Sequence, residues 1–347
     1  MNDPASTGAI EIGGRRIGGP DGHVFVIAEA GVNHEGDLGV AMELLESSAD
    51  AGADAIKFQA ILADTLFAPS EYGSEFHRLF KKAELSEADY QQLADRARSL
   101  GLVFMMSFND RYGIDLGERL GVGAHKLAST LMSNTLLVRA AARTGKPLVI
   151  STGMSHLSDV ETAINAAAVV GDNDLALMHC VSNYPCEWGE LNLRVMDTLS
   201  GAFGVPVGFS DHSIATEAPL VAAAAVARGA TLLERHVTLD KSRPSFDHRL
   251  SSEPEEFVEF VRAARSVTTG LGSGRKAISP GENKNRKAFR TSLAPAKPIE
   301  VGEVINESML TAVRPEGGVP PELFVRIIGK PARRAMAAGE PLTWDDL

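Results

Sequence analysis

The chain has few cysteines and no long apolar run. Its 347 residues include two cysteines, Cys180 and Cys186, too few for a disulfide framework, so we expect both thiols to be reduced. No window approaches the roughly 18 uninterrupted apolar residues that a membrane helix needs. The first twenty residues lack the basic and apolar regions of a secretory signal. These absences predict a cytoplasmic protein that does not enter a membrane.

The chain also lacks an excess of basic charge. Lysine and arginine total 34 against 45 aspartates and glutamates, a formal net charge of −11, which argues against a nucleic-acid partner. An anionic substrate would therefore need a local cluster of cations. A hydrophobic content of 44% is typical of a globular protein. The length allows a large domain and a small one.

Apolar, β-branched runs alternate with helix-period stretches along most of the chain. Several of the helical stretches end at glycine, as at Gly52 and Gly101, and Ser86 stands in an N-cap position. The apolar runs predict strands over 24–31, 55–59, 103–108, 124–129, 147–152, 175–182, 206–212 and 231–238. Eight strand–helix units in about 250 residues predict an α/β fold of the (β/α)8 TIM-barrel type, in preference to an open doubly wound sheet.

The composition changes after the last long helical stretch. Residues 270–290 are rich in glycine, lysine and arginine, and they predict a solvated linker because no strand leads into the glycines. We therefore predict a barrel domain over 1–275, a linker over 276–289 and a small β-rich domain over 290–347. The small domain is too short to bury much core alone, so we expect it to dock on the barrel or on a partner subunit.

Polar residues follow each predicted strand, at the end of a barrel where active sites lie. Lys57 and Lys126 interrupt apolar strands, and two ammonium groups in one barrel mouth repel each other unless an anion lies between them. With the nearby hydroxyls of Ser129, Ser151 and Ser210, they predict a clamp for a phosphate or a carboxylate. A Schiff-base lysine, and a lysine paired with a buried Glu or Asp, stay open as alternatives.

His212 and His236 end the adjacent seventh and eighth predicted strands. A single histidine there would more often be structural, but two beside an anion clamp predict a divalent metal site. Two protein ligands leave open positions for substrate oxygens and water. Such a mixed nitrogen and oxygen site favours Mn²⁺, with Mg²⁺ and Co²⁺ as alternatives, over a closed structural Zn²⁺ site.

Seven ordered segments resemble the sialic acid synthase family. They are IAEAGVNHEGD, AGADAIKFQ, KLAS, STGM, HCVSNYP, GFSDHS and LERHVTLDKSRPSFDH. The C-terminal stretch, from VRPEGG to the end, resembles the antifreeze-like SAF domain of that family. The resemblance covers about residues 22–347. A short segment such as STGM is weak alone, whereas the ordered set is specific.

The resemblance implies a metal-dependent enzyme that condenses phosphoenolpyruvate with an open-chain N-acetylhexosamine-type sugar. The product would be a nonulosonic acid, with phosphate released by C–O cleavage. The metal would lie on His212 and His236, and Glu29 would be the candidate for proton transfer. The implied phosphoenolpyruvate contacts are Lys57, Ser107, Lys126, Ser129, Ser151, Ser182 and Ser210.

The resemblance also implies the sugar contacts Gln59, Tyr184 and Asp247, with Arg314 supplied by the partner subunit of a domain-swapped homodimer. Ser107 replaces the usual Thr of the family, and Ser182 stands where some members have Asn. The larger departure is Leu131, where the family has Glu or Asp. An apolar side chain cannot accept a hydrogen bond from a sugar hydroxyl, so we expect an acceptor that is less polar at this contact.

Three other functions stay open from the sequence. Another phosphoenolpyruvate-dependent synthase, of the 3-deoxy-ulosonate type, would need a further basic cluster for a sugar phosphate. A class I aldolase would form its Schiff base on Lys126. A sugar-binding protein without enzymatic activity would leave the polar strand ends without a purpose.

Overall fold

The chain forms two structural units. The computed structural model describes residues 8–19, 23–171, 174–244 and 247–347. The first unit ends at Ser273, and the second comprises Gly274–Leu347. No helix in the described ranges is both long enough and apolar enough to cross a lipid bilayer.

Eight parallel strands close into a barrel in the order in which they occur along the chain, and the last strand pairs with the first. This closed barrel confirms the predicted (β/α)8 TIM fold. Two short strands, β1 (Ile10–Ile12) and β2 (Arg15–Ile17), precede it. The barrel strands are β3 (Phe25–Gly31), β4 (Ala55–Ala60), β5 (Val103–Phe108), β6 (His125–Leu127), β7 (Leu148–Ser151), β8 (Leu175–Cys180), β9 (Val207–Asp211) and β10 (Leu232–His236).

The helices around the barrel begin and end at the residue types that the sequence analysis used. Ser86 caps its helix, because its hydroxyl accepts a hydrogen bond from the Asp89 amide while the Asp89 carboxylate accepts one from the Ser86 amide. Gly52 lies just past a helix end in the left-handed region, with φ 84°. The helices are α1 (Leu38–Asp50), α2 (Ala63–Leu66), α3 (Glu75–Lys82), α4 (Glu87–Ser99), α5 (Arg111–Leu120), α6 (Thr135–Ala142), α7 (Leu157–Ala168), α8 (Val195–Phe203), α9 (Ala218–Ala227) and α10 (Pro254–Leu271).

The interior of the barrel is apolar towards the amino ends of the strands and polar towards their carboxyl ends. Side chains alternate across each strand, so every second residue points inward. The lower inward positions form one buried apolar cluster, which includes Phe25, Ile27, Ala55, Val103, Met105, Ala124, Val149, Ala176, Met178 and Leu232. The next inward positions along the strands are Glu29, Lys57, Ser107, Lys126, Ser151, Cys180, Ser210 and Glu234. The strand period therefore places a polar layer at the carboxyl ends of the strands.

A β-hairpin that the sequence analysis did not predict packs against the apolar interior. Ile12 of β1 pairs with Arg15 of β2 across a two-residue turn. Gly13 and Gly14 form that turn with φ 56° and 80°, the region that such tight hairpin turns require. The buried isoleucines Ile10, Ile12 and Ile17 belong to the same cluster as the inward-facing barrel side chains.

The second unit has its own small core. Helix α11 (Pro280–Phe289) lies within the stretch interpreted from the sequence as a linker, and β11 (Ser292–Pro295) pairs antiparallel with β12 (Leu310–Val313). The apolar cluster of this unit contains Leu293, Ile299, Ile305, Met309, Val319, Ile327, Ala332, Met336, Leu342 and Leu347.

The hairpin should contribute to the stability of the barrel. Ile12 is fully buried, so Ile12→Ala is expected to lower the free energy of unfolding by about 2–5 kcal/mol. Urea unfolding followed by circular dichroism measures this change. The matched control is Glu11→Ala, because the neighbouring Glu11 is exposed. An unchanged urea midpoint for Ile12→Ala would contradict the role of the hairpin.

Candidate active site at the barrel mouth

Four buried charges meet in the polar layer of the barrel. The Lys57 Nζ atom lies 2.9 Å from Glu234 Oε2 and 3.2 Å from Glu29 Oε2. The Lys126 Nζ atom lies 3.3 Å from Glu234 Oε1. Since β6 and β10 lie on opposite sides of the eight-stranded ring, the contact of Lys126 with Glu234 crosses the barrel. The structure thus pairs both lysines with buried carboxylates, which is one of the alternatives that the sequence analysis left open.

Burial disfavours each of these charges, and the neighbouring charges decide the net direction of each pKa. Burial lowers the pKa of Lys57, but Glu234 and Glu29 outweigh this effect and the pKa is raised. Burial, helped by Lys57, lowers the pKa of Lys126. The two lysines overcome burial and hold the pKa of Glu234 well below its usual range, whereas burial keeps that of Glu29 raised. Glu29 is therefore the carboxylate better suited to exchange a proton.

Glu234 is the functional candidate that the sequence analysis did not select. Besides its two lysine contacts, its Oε1 atom accepts a hydrogen bond of 3.0 Å from the Ser210 hydroxyl. A signal was present, because Glu234 lies two residues before His236 and so faces the same side of its strand. The sequence shows that Glu234 and His236 share a face. The contact of Glu234 with Lys126, across the barrel, can be seen only in the three-dimensional structure.

Two of the predicted hydroxyl ligands converge beside a glycine. The Gly153 amide donates a 3.0 Å hydrogen bond to Ser129 Oγ, which lies 3.0 Å from Cys180 Sγ. A Cβ atom on Gly153 would lie 2.9 Å from both of these atoms and closer still to Ser182 Oγ, so a larger residue would crowd the hydroxyls. A cavity of about 620 Å³ borders this cluster.

The remaining predicted serines lie in the same layer. Ser107 and Ser151 are buried at the ends of β5 and β7. Ser107 stands directly across from Lys126 in the pairing of β5 with β6. The structure therefore brings hydroxyls from several strands to the layer that contains the lysines.

The two predicted metal ligands lie side by side. The ring centroids of His212 and His236 are 5.5 Å apart. The His212 Nδ1 atom lies 2.8 Å from the Val181 carbonyl oxygen, so its N–H donates to that oxygen and Nε2 is left as an acceptor. Burial lowers the pKa of both rings, which favours the neutral form that binds metals.

The surroundings of His236 also fit a cation. Its buried Nδ1 atom has no hydrogen-bond partner among the described residues, and it lies 3.9 Å from Asp247 Oδ2. No cluster of three or more His, Cys, Asp or Glu side chains in the described ranges could hold a metal ion. Two neutral histidines with ring centroids 5.5 Å apart fit an open two-histidine site, and the metal itself stays a prediction.

The predicted sugar contacts gather next to the histidines. The Tyr184 ring lies 4.3 Å from the His212 ring, centroid to centroid. The Gln59 amide donates a 3.0 Å hydrogen bond to Glu29 Oε1. Burial, with Glu29 nearby, raises the pKa of Asp247 to about 7. These polar groups border the same part of the mouth as the histidine pair.

The two other predicted sugar contacts, Leu131 and Arg314, lie outside the barrel strands. Leu131 ends a short 3₁₀ helix, Ser129–Leu131, is half-buried, and packs against the apolar layer between the barrel strands and the helices. Arg314 belongs to the second unit, where its exposed guanidinium lies 5.4 Å from the centroid of the Phe289 ring.

A fully buried ion pair supports the histidines from the outer face of their strands. Arg235 Nη1 lies 3.1 Å from Asp211 Oδ2, and both side chains are fully buried. Arg235 also donates hydrogen bonds to the Ser213 carbonyl and the Ser252 hydroxyl. Because Asp211 precedes His212 and Arg235 precedes His236, the pair fixes the two histidine-bearing strands to each other.

A (β/α)8 barrel whose mouth gathers lysines, carboxylates and neutral histidines defines an enzyme with its active site at the carboxyl ends of the strands. The chain belongs to the NeuB family, whose profile matches residues 44–276, and residues 290–347 match the SAF domain. Both matches confirm the resemblance described above.

Two relatives and one solved structure agree with this assignment. The chain is 37% identical to the N,N′-diacetyllegionaminic acid synthase of Legionella pneumophila, over 93% of this chain and 94% of that protein. It is 30% identical to the pseudaminic acid synthase of Helicobacter pylori, over 93% of this chain and 97% of that protein. The crystal structure of a sialic acid synthetase from Leptospira borgpetersenii, in complex with citrate, has 33% identity and a TM-score of 0.73, covering 80% of this chain and 95% of that one.

The buried ion pair gives a stability prediction. Asp211→Asn leaves the Arg235 guanidinium uncompensated, so we expect the free energy of unfolding to fall by about 3–5 kcal/mol. Urea unfolding measures the loss. Asp197→Asn is the matched control, because it removes the charge from the half-exposed pair with Arg228, and such pairs contribute little. Equal effects of the two substitutions would show that the buried pair has no special role.

Proposed function

We propose that the enzyme condenses phosphoenolpyruvate with the aldehyde of an open-chain N-acetylhexosamine-type sugar and forms a nonulosonic acid. The observation that carries the proposal is one barrel mouth in which buried lysines and serine hydroxyls lie beside two neutral histidines. The relatives support the reaction class, because they are named as synthases of N,N′-diacetyllegionaminic acid and pseudaminic acid.

The phosphoenolpyruvate site would use the polar layer. Lys57 and Lys126 stabilise phosphate and carboxylate charge through the transition state. Each ammonium has three N–H donors and contacts at most two carboxylates, so donors remain for the substrate. The hydroxyls that complete this site are those of Ser107, Ser129, Ser151, Ser182 and Ser210.

The acceptor would lie on the side of the histidines. A divalent cation, with Mn²⁺ favoured over Mg²⁺ and Co²⁺, would be held by His212 and His236 and would polarise the aldehyde of the sugar. Gln59, Tyr184 and Asp247 border this position and would hydrogen-bond the sugar.

The bond changes are those that the family resemblance implies. Carbon 3 of phosphoenolpyruvate attacks the aldehyde carbon and forms the new C–C bond. Water then adds to carbon 2, and the tetrahedral intermediate loses phosphate with C–O cleavage. Glu29 serves as the proton-transfer group, supported by its raised pKa and by its place between Lys57 and Gln59.

The second unit would complete the site from a partner subunit. Arg314 of the SAF domain is exposed, and in a domain-swapped homodimer it would contact the acetamido side of the sugar. The domain limits 1–275, 276–289 and 290–347, and a cytoplasmic location consistent with two free cysteines, belong to the same proposal.

A class I aldolase is the second candidate, and one observation favours it. Burial and Lys57 lower the pKa of Lys126, as a Schiff-base lysine requires. Against it, Lys126 contacts Glu234, and the neighbouring histidines would have no purpose in such a reaction.

Metal removal separates the two candidates. With Mn²⁺ and an acceptor, the enzyme is expected to release phosphate from phosphoenolpyruvate, and EDTA or His236→Ala should reduce the rate at least a hundredfold with the circular dichroism spectrum unchanged. Substantial phosphate release by His236→Ala would reject the metal role. Activity that survives EDTA and is lost on borohydride treatment with substrate would establish the aldolase instead.

We predict that Leu131 favours an acceptor sugar that is less polar at this contact, and the relative use of two sugars tests this role. A diacetamido-trideoxy sugar is expected to exceed N-acetylmannosamine in kcat/KM by roughly 5- to 150-fold, the ratio equivalent to one hydroxyl left unpaired. Leu131→Glu should narrow this ratio. Leu136→Glu is the matched control, because Leu136 is 80% exposed on α6. Equal use of both sugars by the unaltered enzyme would contradict the proposed preference.

A further inference from the structure

The carboxylate of Glu234 contacts Lys57, Lys126 and Ser210, which are residues expected to bind the phosphate or carboxylate of the substrate. Its Oε2 atom lies 2.9 Å from Lys57 Nζ, and its Oε1 atom lies 3.3 Å from Lys126 Nζ. The Ser210 hydroxyl donates to the same Oε1 at 3.0 Å. Glu234 is buried, so water screens these contacts little. The lysine pair therefore holds an anion that belongs to the protein.

This arrangement restricts what an incoming anion can gain. A hydroxyl has a single hydrogen to donate, so Ser210 cannot donate to Glu234 and to a phosphate at the same time. The charge of Lys57 is already balanced by ion pairs with Glu234 and Glu29. A phosphate that reaches the remaining donors lies beside a buried negative charge, which repels it.

Glu234 is better placed for this competition than Glu29. It contacts both lysines, whereas Glu29 forms an ion pair with Lys57 alone of the two and accepts a hydrogen bond from Gln59. Glu234 also stands opposite Ser210 in the pairing of β9 with β10, so the backbone holds the carboxylate at this place.

We propose that Glu234 is an internal counter-anion that competes with phosphate-bearing ligands for Lys57, Lys126 and Ser210. It limits the affinity of the site for phosphate and so allows product phosphate to leave. This inference rests on the proposed function for the identity of the ligand, and on the geometry for the competition itself.

The test is the affinity of Glu234→Gln for inorganic phosphate and for phosphoenolpyruvate. The amide keeps the shape and one acceptor oxygen but removes the charge. Calorimetry on the full chain, without metal or acceptor, is expected to show at least tenfold tighter binding of both probes. In turnover assays, inhibition by inorganic phosphate should appear at a correspondingly lower concentration. Affinity equal to or weaker than that of the unaltered enzyme would overturn the proposal.

Glu118→Gln is the matched control. It removes the charge from a carboxylate that contacts His125, 2.8 Å away, and that lies on α5, outside the polar layer of the barrel mouth. Its phosphate affinity should stay unchanged, and tightening in both variants would indicate a general charge effect and overturn the specific role of Glu234.

If the Glu234→Gln protein does not fold, a second pair of variants tests the same proposal. Lys126→Gln/Glu234→Gln leaves Lys57 paired with Glu29, and it should bind phosphate at least tenfold more tightly than Lys126→Gln alone. Equal affinities would overturn the counter-anion role. If no aldehyde yields phosphate from phosphoenolpyruvate while phosphate binding still tightens, the proposed function fails and the counter-anion role stands.

Discussion

The contact of Glu234 with Lys57 and Lys126 is the interaction on which the barrel mouth depends. Two ammonium groups inside a barrel are costly unless carboxylates compensate them, and here the compensation comes from across the barrel as well as from nearby strands. Strands β3, β4, β6 and β10 each supply one of the four charged side chains. Glu29 and Lys57 are direct partners in the pairing of β3 with β4, and Glu234 reaches Lys57 and Lys126 from β10. The apolar layer below them excludes water from the other side. The charges are thus held at the carboxyl ends of the strands, where an active site can use them.

The inner and outer faces of β9 and β10, the strands next to the histidines, have different roles. The inward residues Ser210 and Glu234 belong to the charged cluster. The outward neighbours Asp211 and Arg235 form a buried ion pair. Because successive residues of a strand alternate between faces, the outer pair can hold the strands in register without entering the site. The alternation of side chains along the strands therefore places the stabilising ion pair on the outer face and the charged cluster of the site on the inner face.

The sequence predicted the barrel well because each strand and helix carries its own local pattern. It did not reveal the hairpin of β1 and β2, although two glycines between alternating isoleucines are a hairpin signal. Glu234 lies within the predicted strand 231–238 but was not selected as a member of the site, because a contact between β6 and β10 depends on closure of the ring. The role of Leu131 stays a prediction. Its position after Ser129 suggests a place near the sugar, and the packing of part of its side chain against the outer core involves neighbours that are distant in sequence.

Charge balance links the parts of the proposed site. Lys57 and Lys126 together with Glu29 and Glu234 sum to zero when all four are ionised. Phosphoenolpyruvate adds a phosphoryl group of about −1.5 to −2 at neutral pH and a carboxylate, so a neutral cluster cannot compensate it alone. Two sources of compensation adjoin the lysines. One is a proton on Glu29, whose pKa burial raises. The other, in the proposed function, would be a divalent cation held by the neighbouring His212 and His236. In the proposed function the histidine pair therefore serves both reactants, because the same cation that would polarise the aldehyde also offsets the charge that the lysines leave uncompensated.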